Sequence, residues 1–282
     1  MIIDSHCHAG KGDGLTGPWD TNAPLAKYMV RAARAGIDRT VLFPAFHSDY
    51  AVANREVARI VASRRDRFYG FAFVNPVRDR GRVLSLVTEA VRRYGFLGIK
   101  VHRHDARITR EVCDAAQHYS LPINYDVMGE VSVVELLAEA YPNLNFIIPH
   151  LGSFADDWSA QIAFIASLAR HPNIHTDTSG VRRFGLLEDA IQRAGPHKIL
   201  FGSDGPWLNP EVELAKVYAL RLSSADQQRI LSGNLLLLLS KVHPRSATSP
   251  AVDTELAPPL PSRGDPWRPL RPWDMFRWSS PR

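Results

Sequence analysis

Apolar and polar positions alternate between two rhythms along most of the chain. Short runs rich in β-branched and aromatic residues predict buried strands over 2–5, 39–44, 68–74, 97–102, 122–126, 145–149, 174–178 and 198–203. Between them, apolar residues at helical spacing predict helices over 25–35, 54–63, 82–94, 109–119, 133–141, 159–170 and 186–194, with two more over 223–231 and 235–239. Gly36, Gly95 and Gly195 each stand just past one of these helices, where a stop is expected. Thr109 occupies an N-cap position.

Eight strand–helix units predict an α/β fold closed as a TIM-like barrel, and strands apolar on both faces suit a parallel sheet buried on both sides. A doubly wound open sheet would place a glycine-rich phosphate loop after the first strand. Here that strand meets His6-Cys7-His8 instead. Gly10, Gly12, Gly14 and Gly17 follow but do not open a helix, so the stretch reads as a mobile loop.

The tail differs in kind. Nine of the 20 prolines and three of the six tryptophans (Trp267, Trp273 and Trp278) fall within 243–282, which predicts irregular structure. The chain is therefore divided into a barrel, 1–242, and a Pro/Trp-rich extension, 243–282. The extension reads either as disordered or as a strap whose tryptophans anchor on the barrel or on a second subunit.

Composition narrows the function. With 282 residues, 45% of them hydrophobic, the chain can build one large core. The net charge of +5 would suit nucleic acid, but residues 241–282 carry seven basic and four acidic side chains, leaving +2 for the rest. Nucleic-acid binding is not expected. No apolar run reaches 18 residues, no charged leader precedes an apolar stretch, and there are two cysteines, so a cytoplasmic protein without membrane or disulfides is expected. A small molecule is the expected partner, with a homodimer as the expected assembly if one forms.

Barrels of this kind place their chemistry at the C-terminal ends of strands. His6 and His8 lie two apart in a strand, so both imidazoles project to one side, as a chelating pair for a divalent metal requires. Lys100 and His102 share a face in the same way, while Cys7 faces the opposite side from its neighbours. Further strand ends carry Asp126, His150, Asp177 and Asp204, and His47 follows the second strand. His104 is expected in solvent, and His118, His171, His197 and His243 on the surface. His175 is placed two residues before Asp177, towards the lower layers of the barrel. Trp19 and Trp207 lie in loops at the presumed active face, and Arg182 and Arg183 could grip a carboxylate or form a surface pair.

The segments Ile3-Asp4-Ser5-His6-Cys7-His8, Gly98-Ile99-Lys100-Val101-His102, Pro149-His150-Leu151-Gly152, Asn173 to Gly180 and Leu200-Phe201-Gly202-Ser203-Asp204-Gly205-Pro206 resemble, in this order and spacing, the amidohydrolase superfamily, in its amidohydrolase-related (type 2) branch. The resemblance covers about residues 1–240. It implies a distorted TIM barrel holding a divalent metal, zinc first, with manganese or iron as alternatives. His6 and His8 match the strand-one ligands. Asp204 matches the strand-eight aspartate, which binds metal and accepts a proton, and His150 matches the strand-six histidine, which binds or polarises substrate. Relatives carry a metal-binding histidine after the Leu-Pro start of strand five; here Leu121-Pro122-Ile123-Asn124-Tyr125 leads to Asp126, a carboxylate that can also ligate. Asp126 is then a ligand or a hydrogen-bond acceptor, and the site leans in part on His102 or His150. Lys100 is either carboxylated to bridge two metals or a charge that orients an anionic substrate. With Lys100, His102, Trp19 and Trp207 as substrate-binding residues, the resemblance implies a hydrolase of a small carboxylate-bearing lactone, amide or ester. Decarboxylation of an aromatic or unsaturated acid is the first alternative, and a non-catalytic metal- or ligand-binding barrel the second.

Overall fold

A computed structural model describes residues 1–17, 22–154 and 157–242. The elements run β1 (Ile3–Lys11), β2 (Asn22–Ala23), α1 (Leu25–Arg34), β3 (Arg39–Pro44), α2 (Tyr50–Ser63), β4 (Phe68–Phe73), α3 (Val83–Glu89), β5 (Gly98–His102), α4 (Arg110–Tyr119), β6 (Ile123–Asp126) and α5 (Val131–Ala140). They continue with β7 (Phe146–Ile148), α6 (Trp158–Arg170), β8 (Ile174–Asp177), α7 (Phe184–Ala194), β9 (Ile199–Leu200), α8 (Pro210–Ala219), α9 (Ser224–Gln228) and α10 (Asn234–Ser240). The sheet order is β2-β1-β3-β4-β5-β6-β7-β8-β9, and β2 is the antiparallel edge. The remaining eight strands are parallel.

The circle closes where β1 meets the segment after β9. Ser5 N–H donates to Phe201 O at 2.9 Å and His8 N–H to Gly205 O at 2.6 Å, with a parallel bridge between Cys7 and Gly205. The result is a distorted TIM barrel, as the eight repeated units predict. The distortion explains two departures in length. β9 is short because Phe201–Gly205 carries its hydrogen bonds to β1 irregularly, and β1 is long because it runs past the seam to pair with β2. Gly10, read from sequence as part of a mobile loop, therefore lies in β1.

Two apolar layers hold the barrel. The larger lies between strands and helices and includes Tyr28 and Ala32 of α1, one turn apart. The smaller joins Ile3, Val41, Phe43, Phe71, Ile147 and Leu200 from five strands, and Leu235, Leu238 and Leu239 of α10 pack against it. Asn234 ties that helix to the start of β9 by donating to Ile199 O at 2.6 Å and Pro196 O at 2.8 Å. Lys198 does comparable work at the start of β8: its buried ammonium donates to the carbonyls of His171, Pro172 and Ile174 at 2.6–2.8 Å.

Helix α8 lies between the two rhythms and is absent from the sequence expectation, although Asn209 caps Glu211 N–H at 3.0 Å and Pro210 opens it. Thr109 holds the N-cap position of α4 but its hydroxyl caps nothing and is buried without a partner. The helix expected over 82–94 is α for one part and then widens to a π-turn over Ala90–Tyr94, which Gly95 ends in the left-handed region. Among the described residues no helix is long and apolar enough to cross a membrane. Trp19 and the extension 243–282 lie outside the described residues.

Two glycines are required by close packing. A Cβ on Gly70 would stand 2.2 Å from the Phe96 ring, and one on Gly98 2.5 Å from the Phe71 ring, with both rings buried. Gly70→Ala and Gly98→Ala are each expected to cost about 1–3 kcal/mol by forcing buried rings aside. At roughly 2–4 °C per kcal/mol for a domain of this size, thermal unfolding would show it; an unchanged melting temperature would contradict this packing.

Candidate metal centre

The strand ends converge on one cavity of about 390 Å³, lined by His6, His8, Lys100, His102, Asp126, His150 and Asp204 together with Phe46, Met128, Phe154, Arg182, Trp207 and Leu208. One ligand atom each from His6, His8 and Asp204 lies within 4.8 Å of the others, a group that could hold a metal ion. Asp204 Oδ1 stands 3.4 Å from His6 Nε2 and 3.8 Å from His8 Nε2.

Hydrogen bonds behind the imidazoles decide what they offer. His6 Nδ1 donates to Asp177 Oδ2 at 2.8 Å, and His8 Nδ1 donates to Pro44 O at 2.9 Å. With the proton held on Nδ1, each Nε2 presents a lone pair to Asp204. Burial, with the Lys100 charge second, pushes His6 down to about 3 and His8 well below the usual imidazole range. Both are therefore neutral at ordinary pH, the form that ligates. Burial raises Asp204 above the usual carboxylate range, and a divalent cation is the counter-charge such a buried carboxylate lacks. The donor set thus fits a divalent ion.

The backbone is strained at two strand-end residues of the cavity, one of them in this cluster. His150 has φ +59° and Asp204 φ +54°, left-handed values uncommon for residues other than glycine. Around His150 the strain is held by Asp177 Oδ1, which accepts from His150 N–H at 3.3 Å, and by Gln161, which donates to His150 O at 2.9 Å. His150 Nδ1 donates to Ser179 O at 2.8 Å, turning Nε2 into the cavity.

Lys100 lies wholly buried in the floor, donating to Asn124 Oδ1 at 2.8 Å, with its ammonium 4.8 Å from the centre of the Phe43 ring. Burial lowers its pKa. Trp207 packs on His8, ring centres 4.4 Å apart, and donates from Nε1 to Asn22 O at 3.0 Å. Asp126 is placed apart from the His6–His8–Asp204 group: its Oδ2 lies 3.3 Å from His102 Nε2 and 3.5 Å from His150 Nε2.

Other sequence candidates separate from the site. His47 stands 3.5 Å from Asp13 and does not line the cavity. Arg182 lines the cavity, whereas Arg183 stacks on Trp158 at 3.9 Å. His104, His118 and His197 are exposed, and His171 is half-buried. Cys7 faces away from the cavity into the outer core. His175 is buried beside Lys198, and its Nδ1 has no partner. The orienting role of Asp177 was missed; its strand-end position was visible, but its partner lies 171 residues away. Phe46 and Phe154 gave no sequence signal.

The strand ends of this eight-stranded parallel barrel thus gather two bare imidazole nitrogens and a carboxylate that could hold a divalent ion. The family model described as Amidohydrolase matches residues 3–234, and the chain belongs to that family. A comparison with curated proteins found no match. Among solved structures, the chain is similar to 2,6-dihydroxybenzoate decarboxylase from Rhizobium, with 18% identity, 85% of this chain and 98% of that chain covered, and a TM-score of 0.67. It is similar to 5-carboxyvanillate decarboxylase from Sphingomonas paucimobilis, with 12% identity, 86% and 99% covered, and a TM-score of 0.67. It is also similar to a dihydroxybenzoic acid decarboxylase from Polaromonas with bound manganese and the inhibitor 2-nitroresorcinol, with 20% identity, 85% and 96% covered, and a TM-score of 0.64.

His6→Ala and His8→Ala are each expected to abolish binding of a divalent metal while the barrel stays folded, as elemental analysis and circular dichroism would show. Full metal occupancy in either variant would contradict the ligand assignment. Asp177→Asn, which loosens the His6 ring without removing a ligand, should weaken metal binding by ~10–100-fold.

Proposed function

We propose that the chain is a metal-dependent, non-oxidative decarboxylase of a small aromatic or unsaturated acid. The observation that carries this reading is the cavity itself. It sets the His6–His8–Asp204 cluster beside the buried Lys100 charge, places Arg182 on its wall, and surrounds them with the rings of Phe46, Phe154 and Trp207. Cations and ring faces together suit a flat anion. The similar structures named as decarboxylases of hydroxylated aromatic acids agree with it, and the one with bound manganese makes that metal as reasonable as zinc.

A divalent ion held by His6, His8 and Asp204 would draw charge from the substrate oxygen it touches. Lys100 and Arg182 hold and orient the anion, and the aromatic walls keep water out. Asp204, whose Oδ1 lies beside both imidazole nitrogens, carries a proton from solvent to the ring carbon bearing the carboxylate. The bond to that carboxylate then breaks, its electron pair stays with the ring, and carbon dioxide leaves. His150, anchored through Nδ1 on Ser179, faces the cavity with an Nε2 lone pair that can accept a hydrogen bond from a substrate hydroxyl. Residues 1–242 form the catalytic barrel, and 243–282 an extension to it.

Hydrolysis of a carboxylate-bearing lactone, amide or ester is the second reading. It is favoured by Asp204 Oδ1 beside both imidazole nitrogens, where the carboxylate can take a proton from an attacking water. Incubating manganese- and zinc-loaded protein with hydroxylated benzoic acids on one side, and lactones, amides and esters on the other, separates the two. Carbon dioxide release with loss of the ring carboxylate supports decarboxylation; ring opening or amine release supports hydrolysis. Turnover of neither class by metal-loaded protein would favour a binding barrel without catalysis. Asp204→Asn is expected to lower the rate of whichever reaction is found by at least ~10²-fold. Near-normal turnover would exclude Asp204 as the proton carrier.

A further inference from the structure

We propose that the ion is held by three protein ligands, His6, His8 and Asp204, and that Asp126 and His102 are engaged with each other instead. This rests on the metal centre described above and deepens it. His102 and Asp126 are register partners at the C-terminal ends of the neighbouring strands β5 and β6. Each was a candidate ligand by position alone.

Neither belongs to the group whose ligand atoms lie within 4.8 Å of one another, and their hydrogen bonds engage them elsewhere. His104 N–H donates to His102 Nδ1 at 3.0 Å, so the lone pair of His102 is used there. Neutral His102 then carries its proton on Nε2, the nitrogen that faces the cavity, and a nitrogen bearing a proton cannot ligate. That proton points at Asp126 Oδ2, 3.3 Å away. The other oxygen, Asp126 Oδ1, accepts from Met128 N–H at 3.0 Å. The tautomer is opposite to that of His6 and His8, whose Nδ1 atoms donate and whose Nε2 atoms are bare.

Asp126 is therefore a positioning residue. Its carboxylate accepts from His102 and fixes how that ring lines the cavity, whereas the bare His150 Nε2, 3.5 Å from Oδ2, gains no hydrogen bond from it. The metal loses the strand-five ligand that the resemblance leads one to expect and keeps a two-histidine, one-carboxylate set. Such a set leaves coordination positions open to water and substrate, and suits manganese or iron better than a closed zinc site does.

The test is metal binding by the full chain. Metal-free wild type, Asp126→Asn and His8→Ala would be titrated with manganese(II) and cobalt(II), the cobalt spectrum reporting the ligand set. Asp126→Asn is expected to bind within ~10-fold of wild type, below the usual loss for disturbing a group that holds a ligand, with unchanged cobalt bands; His8→Ala should lose binding. A loss of ~10-fold or more in Asp126→Asn, or shifted cobalt bands, would overturn the inference. Wild type that binds no ion overturns the metal reading itself, whereas binding by wild type alone overturns only the three-ligand inference. A second measurement needs no variant. Ring-nitrogen NMR of the zinc-loaded wild type should find His102 protonated on Nε2, and a metal-bound Nε2 there would refute the proposal.

Discussion

The structure depends on the seam where the first strand meets the chain after the last. His6 and His8 belong to β1, and Asp204 lies beyond β9, so the metal cluster exists only when the barrel closes. Asp4 pins the closure. Its wholly buried carboxylate accepts from Ser203 N–H at 2.9 Å and Tyr28 O–H at 2.7 Å, and also from the Ser203 hydroxyl. Burial raises Asp4 to about 6, and these donors offset part of that cost. Tyr28 in turn is held in the outer core by α1. One buried acid thus joins the two ends of the sheet, a helix of the outer layer and the backbone that presents Asp204.

Much of this was legible in the sequence because it rests on short-range periodicity. The period of two along β1 put His6 and His8 on one face, and the same rule paired Lys100 with His102. The repeated units gave the barrel, and strand-end positions gave His150 and Asp204. What could not be read is contact between distant segments. Nothing local says that Asp177 orients His6, that Phe46 walls the cavity, or that the residues after Leu200 bind to β1 rather than extend a regular strand. Helix α8 was missed for another reason. Its cap and proline were visible, but its apolar face is weakly marked, so periodicity passed over it.

The imidazoles illustrate why placement alone does not assign chemistry. Four histidines line one cavity, and their sequence positions make them alike. What divides them is the atom behind each Nδ1. An acceptor there, as Asp177, Pro44 or Ser179 provides, keeps the proton at the back and leaves a lone pair in front. A donor there, the His104 backbone N–H, reverses the ring and puts the proton in front. The backbone turn after β5 thus makes His102 a donor, and a donor beside Asp126 satisfies the carboxylate that would otherwise be drawn towards the ion.

The same arrangement bears on which reaction the site favours. In the two proposed reactions a proton would pass through Asp204 in opposite directions: from water in hydrolysis, to carbon in decarboxylation. Burial raises Asp204 and a bound divalent cation would lower it, so the direction of the proton turns on the balance of the two. Lys100 acts with the cation, since its charge nearby stabilises the ionised form, and its own burial weakens that charge. An anionic substrate in the cavity would raise both groups, supporting the Lys100 charge and opposing the effect of the cation on Asp204. A carboxylate substrate would therefore favour the proton on Asp204, an effect that a neutral ester or amide would not produce.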